Sequence, residues 1–264
     1  LEGQVFDATI DTVAYQRRDV EALAEALNGR GGHYLQISSI SAYSEPRDRA
    51  GTESTPLHPL GDIDPNADVT GATYGPLKAE CERAAHDLFD SVAIVRPSYV
   101  FGAHDKTFRF PYWVARLSRG GRVAYPGPGT NALQWIDARD LAQLALTLSE
   151  QRWSGAVHAC GEFPAITYRT MLERVASVVA PAGTTLHEID PAQLPDPSWY
   201  QTFPLWHGDE SSSVMDMDNS LAVSLGMPLT SLEETTRETA EWLTSVTTPE
   251  WWLSAEAEAA LVVD

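Results

Sequence analysis

Basic residues are scarce in this sequence: 18 Lys plus Arg stand against 37 Asp plus Glu, a formal net charge of −19. So negative a surface repels phosphate backbones and anionic lipid, which argues against nucleic acid or a membrane as partner. It still admits an anionic cofactor, because a helix N-terminus and a few local donors hold a phosphate inside a negative protein. Cysteine is nearly missing, with Cys81 and Cys160 far apart in the chain. Nothing in 264 residues needs stapling, so a reducing, cytoplasmic setting is expected. There is no apolar run of about 18 residues and no basic-then-apolar leader, so neither a spanning helix nor export is expected. His104, His158 and His207 lack metal-ligand spacing, and no metal is expected. A hydrophobic share of 43% with 21% charged residues is that of an ordinary globular chain of one or two domains.

What is present has a rhythm. "VFDATIDTVAY" (5–15) reads as a buried strand, and "RDVEALAEALNGRGG" as a helix with Asp19 at its N-cap and Asn28-Gly29 as its stop. "HYLQISSISAY" (33–43) is a second strand ending in hydroxyl residues. Residues 44–73, rich in Pro, Gly, Asp and Thr, read as a long surface loop. A helix over 74–89 and the strand "SVAIVRPSYVFG" follow. Strand, helix, strand, loop, helix, strand is the order of right-handed βαβ units and a parallel sheet.

Further on, "FPYWVARLSRGG", "ARDLAQLALTLSE", "TYRTMLERVASVVA" and "SLEETTRETAEWLTSV" read as helices, the last with a capping box from Ser231 to Glu234. Asp137 and Asp140 read as helix-capping residues rather than catalytic ones. Trp199, Tyr200, Phe203 and Trp206 fit a substrate pocket and a core equally well. The tail after residue 246 fits a docked helix or a frayed end.

Ser39 falls at the carboxyl end of a parallel strand, Tyr74 and Lys78 at the opening of the next helix, and "RPSYVFG" at the end of the strand after it. In open α/β sheets, groups at such positions collect in one crevice. A phenol titrates near 10, too high for a good proton acceptor at neutral pH. Lys78, one turn on, shares its face, and a positive charge there favours the phenolate. Tyr74 is then suited to take a hydroxyl proton from a substrate, and Ser39 to hold the substrate oxygen in line. Taken alone, Tyr74 and Lys78 read more readily as a wet pair on a helix than as a catalytic one, and Ser39 can be read as a strand-end cap.

These stretches resemble the short-chain dehydrogenase/reductase superfamily, in its extended, epimerase/dehydratase-like branch. "HYLQISSISAYSE" is similar to the strand ending in the active-site Ser/Thr, and counting back four from Tyr43 places that role on Ser39. "YGPLKAECE" is similar to the Tyr-x-x-x-Lys helix, and "VRPSYVFGAHD" to the Arg-Pro turn beside the nicotinamide. "QWIDARDLAQLAL" and "DNSLAVSLGMPLTSLEETTRETAEWL" resemble later blocks, so the resemblance runs from about residue 5 to about 246. It implies an α/β fold with a Rossmann-like doubly wound parallel sheet and a smaller C-terminal α+β substrate region. Residues 1–160 would be the dinucleotide-binding part, 161–246 mainly the substrate-binding part, and 247–264 a tail. It further implies NAD or NADP as cofactor, held by Ala14, Tyr74, Lys78, Pro97 and Ser98. Catalysis at a secondary alcohol or ketone carbon would fall to Ser39, Tyr74 and Lys78. A small-molecule substrate and a homodimer are implied too. The rival reading is a non-catalytic, RNA-binding-like relative, which "TFRFPYWVARLSRGGRVAYPG" resembles in wording.

The sequence also departs from that family. The Gly-rich turn that cradles the pyrophosphate is not among these residues, nor is the residue that separates NAD from NADP. "FDATIDTVAY" corresponds to the fourth strand, so three strands and two helices, roughly 60 to 80 residues at βαβ length, are expected upstream or on another segment. Without them the first strand would be a bare apolar edge. The Asp-Glu pair of the 4,6-dehydratases is replaced by Ile40 and Ser41, which disfavours that elimination. Tyr99 stands where many sugar-nucleotide enzymes carry Asn, which weighs against a nucleotide-sugar substrate.

Overall fold

Asp11 ends the first strand early. Its carboxylate accepts the backbone N–H groups of Val13 (2.8 Å) and Ala14 (3.1 Å) and turns the chain. Strand β1 therefore covers Ala8–Asp11 and not the whole apolar stretch 5–15. The computed structural model describes residues 3–45, 50–193, 202–208 and 215–262. After β1 come α1 (Arg17–Leu27), β2 (His33–Ile37), a 3-10 turn (Ile40–Ala42), α2 (Tyr74–Leu88), β3 (Val92–Pro97) and β4 (Tyr99–Phe101). Next are α3 (Arg109–Ser118), β5 (Arg122–Pro126), β6 (Ala132–Leu133), β7 (Trp135–Asp137), α4 (Ala138–Gln151) and β8 (Gly155–Ala159). The chain continues with β9 (Ile166–Thr167), α5 (Tyr168–Val179), β10 (Thr185–Ile189), α6 (Ser220–Ser224), α7 (Leu232–Leu243) and α8 (Ala255–Ala259). None of the described helices is long and apolar enough to cross a membrane.

Two compact units interleave in the chain, the first made of residues 1–99, 134–164 and 216–229. It holds a four-stranded parallel sheet in the order β1-β2-β3-β8, with Ile10 beside Leu35, Ile37 beside Val95 and Val95 beside Val157. Helices α1 and α2 cover one face and α4 the other, the doubly wound arrangement. On the α1/α2 face Ala14, Val20, Tyr34, Cys81, Ala84 and Ile94 form the core, and Tyr34 stacks on Phe89 at 4.0 Å. β1 is the outer strand of the sheet, with Ile10 39% and Val13 67% exposed. Helix α1 opens on a capping box in which Asp19 is the third residue, accepting the N–H of the cap residue Gln16 (2.9 Å). The N-cap is thus Gln16 and not Asp19, while Asn28 stops the helix in the left-handed region (φ 45°) as expected. Asp137 caps α4 by accepting the N–H of Arg139 (2.9 Å), and Asp140 lies in the first turn.

The second unit takes in residues 100–133, 165–215 and 230–264. Helices α3, α5 and α7 pack together beside the parallel pair β5 and β10. Ser231 caps α7 by accepting the N–H of Glu234 (3.2 Å), the N-cap half of the capping box read from sequence. Phe203 and Trp206 are core here, not pocket lining: Phe203 is fully buried 6.3 Å from the Trp113 ring, whose indole N–H donates to Pro204 O (2.7 Å). Trp199 and Tyr200 lie outside the described residues. The tail docks, because Glu258 of α8 pairs with Arg116 in a buried ion pair and accepts the N–H of Ala124 (3.0 Å).

Candidate active site

Lys78 is the centre of the arrangement. It sits one turn into α2 with 4% of its surface exposed, and its ammonium donates to Ala14 O and to Ile37 O, both at 2.8 Å. Those carbonyls lie just past the end of β1 and at the last residue of β2, so one cation ties two strand ends to the helix start. An ammonium has three donors, and among the described residues the third has no protein acceptor and the cation makes no ion pair. Burial pushes the Lys78 pKa down, with the charges of Cys81, Asp11 and Glu82 opposing that shift. The Lys78 nitrogen stands 5.4 Å from the centre of the Tyr15 ring, and that ring is 6.3 Å from the ring of half-buried Tyr74. Ala14, Tyr15, Ile37, Tyr74 and Lys78 are therefore neighbours.

Ser39 follows two residues after Ile37. Its hydroxyl oxygen accepts the N–H of Ser41 (3.0 Å) and starts the 3-10 turn, while Ser38 points its hydroxyl at Glu82 instead. Gly75 explains how that turn reaches the helix. A side-chain carbon there would lie 2.3 Å from Ser41 O, so only glycine lets the turn after Ser39 rest on the first turn of α2, beside Tyr74. Pro97 ends β3, and Ser98 follows, held by its N–H to Ala159 O (3.3 Å). The Ser98 hydroxyl is buried and, among the described residues, without a hydrogen-bond partner. A buried hydroxyl left unpaired is unfavourable, and such an atom at a strand's carboxyl end is a natural contact for a bound polar ligand. Ala14, 1% exposed, presents no bulk at the end of β1. These residues fit the edge of a dinucleotide; the Gly-rich turn that would cradle its pyrophosphate is not among the residues of this sequence.

Behind them runs a polar network whose connections the sequence patterns do not show. The Glu82 carboxylate, 2% exposed, accepts from Ser38 Oγ, from Arg96 Nε (3.0 Å) and from Arg96 Nη2 (2.6 Å). Arg96 Nη1 donates to the Tyr43 hydroxyl (2.6 Å) and to Glu53 O (3.2 Å). The Tyr43 hydroxyl meets His158 Nε2 at 2.5 Å, and His158 Nδ1 faces Asp218 O at 2.8 Å. Burial alone would lower the Arg96 pKa, but Glu82 outweighs it and the guanidinium is held above its usual value. Burial pushes the Tyr43 phenol up and the His158 imidazole down.

The family model described as the NAD dependent epimerase/dehydratase family matches residues 6–159, more than half of the 264-residue chain. No curated protein sequence matches the chain. Among solved structures, UDP-glucuronic acid 4-epimerase from Bacillus cereus in complex with NAD is similar at 16% identity with a TM-score of 0.59, over 86% of this chain. The chain spans 66% of that enzyme's length. RMD from Pseudomonas aeruginosa complexed with NADPH aligns at 18% identity and TM-score 0.63, over 93% of this chain and 83% of that one. dTDP-glucose 4,6-dehydratase from Bacillus anthracis str. Ames, in complex with NAD, aligns at 14% identity and TM-score 0.60, over 88% of this chain and 68% of that one. At such identities the likeness carries the fold.

Proposed function

Because the chain belongs to the NAD dependent epimerase/dehydratase family, we propose that it acts as a nicotinamide-dependent oxidoreductase or epimerase at a secondary alcohol or ketone carbon. The observation that carries this reading is Lys78: a buried ammonium, tied to two strand ends and, among the described residues, without an ion pair, beside Tyr74. Burying a cation without an ion pair is unfavourable, and a purely structural role gives no reason to keep it.

A nicotinamide dinucleotide, when bound, supplies the hydride acceptor or donor. Ala14, Pro97 and Ser98 would border it, and the third N–H of Lys78 together with Tyr74 would meet it. Ser39 holds the substrate oxygen by its hydroxyl. Tyr74 takes the proton from that oxygen in the oxidising direction and returns it in the reducing one. The Lys78 charge favours the phenolate, which brings Tyr74 toward the pH at which it works as a base. Elimination of the 4,6-dehydratase kind is disfavoured, since position 40 is a fully buried isoleucine and position 41 a serine. An RNA-binding role draws no support from the aromatic stretch, because Phe110, Tyr112 and Trp113 are buried and cannot stack on bases.

The test is Tyr74→Phe in the full-length polypeptide, assayed with NAD and NADP against a panel of secondary alcohols and ketones. Cofactor affinity should stay near wild type while turnover falls by about 10²- to 10⁴-fold, the usual worth of a general acid–base. Undiminished turnover in the variant, or no turnover by the wild type with any member of the panel, refutes the reading.

A further inference from the structure

Ser38, Glu82, Arg96, Tyr43 and His158 take no part in the proton transfer, yet they form one continuous buried chain of hydrogen bonds. Apart from β1, which leads to Ala14, each element that brings a reacting or bordering group into the site enters this chain with a residue close to that group. Ser38 precedes Ser39 at the end of β2. Glu82 lies one turn beyond Lys78 on α2. Arg96 precedes Pro97 and Ser98 at the end of β3. Tyr43 closes the 3-10 turn that Ser39 starts.

We propose that Glu82 and Arg96 are positioning residues: their ion pair, extended by Ser38 and Tyr43, fixes the ends of β2 and β3 against the helix that carries Tyr74 and Lys78. The pair is a fork, with Arg96 Nε at 3.0 Å and Nη2 at 2.6 Å from the carboxylate. A fork sets angle as well as distance, which apolar packing does not. The third side of the guanidinium is used as well, on the Tyr43 hydroxyl at 2.6 Å. With Glu82 2% and Arg96 5% exposed, desolvation offsets most of the pair's attraction, so stability alone is a poor reason to keep it. Directionality is the better one. A fully satisfied buried network specifies one arrangement of the elements it joins, and here those elements are the ones that hold the site. The inference rests on the reading of Ser39, Tyr74 and Lys78 as the reacting groups, but its test does not use turnover.

The sequence has just two lysines, Lys78 and Lys106. Lysine-selective carbon-13 NMR therefore reads Lys78 directly, with Lys106→Arg as the assignment. Hydrogen exchange, resolved by peptide, reads the strand ends. Two variants are informative: Ser38→Ala, which deletes one hydroxyl, and Glu82→Met with Arg96→Met, which removes both charges together. In each, amide exchange across residues 38–43 and 96–99 should rise at least about tenfold, while α5 and α7 of the second unit keep wild-type exchange. The Lys78 signal should move, and its ammonium protons should exchange with water faster. Should the double variant not fold, Ser38→Ala alone decides. An unmoved Lys78 signal with unchanged local exchange overturns the proposal, as does an exchange increase of equal size in both units. Turnover bears on a different claim: a wild-type protein without oxidoreductase activity sinks the function proposed above whatever the exchange pattern, and leaves the result on Glu82 and Arg96 standing.

Discussion

Replacing Ser98 by alanine sets stability and ligand affinity against each other. The side chain is 8% exposed, follows the end of β3, and its hydroxyl finds no partner among the described residues. An unsatisfied buried polar group costs about 1–3 kcal/mol, and alanine removes it while keeping the β-carbon. Taking the lower end, because a hydroxyl is small and rotates freely, Ser98→Ala should be more stable than wild type by about 1 kcal/mol. For a chain of this size that is a rise of roughly 2–4 °C in the unfolding midpoint. If the same hydroxyl is kept for a bound dinucleotide, the variant loses one neutral hydrogen bond, about 0.5–1.5 kcal/mol. NADH affinity should then fall roughly two- to twelvefold, at 1.4 kcal/mol per factor of ten. Differential scanning calorimetry without ligand gives the first quantity, and an NADH fluorescence titration gives the second. A variant less stable than wild type would mean the hydroxyl already has a partner, and the reasoning collapses. Raised stability with unchanged affinity would detach Ser98 from the cofactor.

In the second unit, Glu258→Gln leaves the Arg116 guanidinium, 5% exposed, without its counter-charge. Urea unfolding followed by tryptophan fluorescence should show a loss of about 3–5 kcal/mol, and the Arg116→Met/Glu258→Met double variant should recover most of it. An equal loss in single and double variants would assign the effect to packing of the tail. His158 gives a pH dependence. Burial lowers its pKa beneath the ordinary 6.5, so it is neutral in the fold and binds a proton more readily once unfolded. Its contribution is complete above 6.5 and is lost as pH falls from there toward the depressed value. Between those limits the wild-type stability should drop faster than that of His158→Gln, by up to about 1.4 kcal/mol per pH step. Parallel curves would mean that Glu53 and Asp218 O hold the imidazole charged.

The order of elements was legible because it is local. Period and punctuation placed α2, α5 and α7, and the N-cap at Ser231 was readable from four residues. The strand lengths were not, since what ends β1 is one aspartate turning back on its own backbone, a contact that looks like nothing in an apolar run. The pair β5 and β10 escaped for another reason: each is short, and each is recognisable as a strand only beside the other. The candidate residues Ser39, Tyr74, Lys78, Pro97 and Ser98 came from spacing and resemblance. Glu82 and His158 had no such signal, and the Arg-Pro motif marked Arg96 only as part of a turn, because their meaning lies in contacts across 14, 53 and 115 positions.

The sequence by itself determined the family, the βαβ order and the residue types from which a proton-transfer site can be built, because those depend on patterns a few residues long. Only the tertiary structure decided that Lys78 is buried against two strand ends, that Ser38 is committed to Glu82 while Ser39 is not, and that the Ser98 hydroxyl is unpaired among the described residues. Each of these depends on which distant groups arrive within hydrogen-bond reach, and chain spacing does not record that.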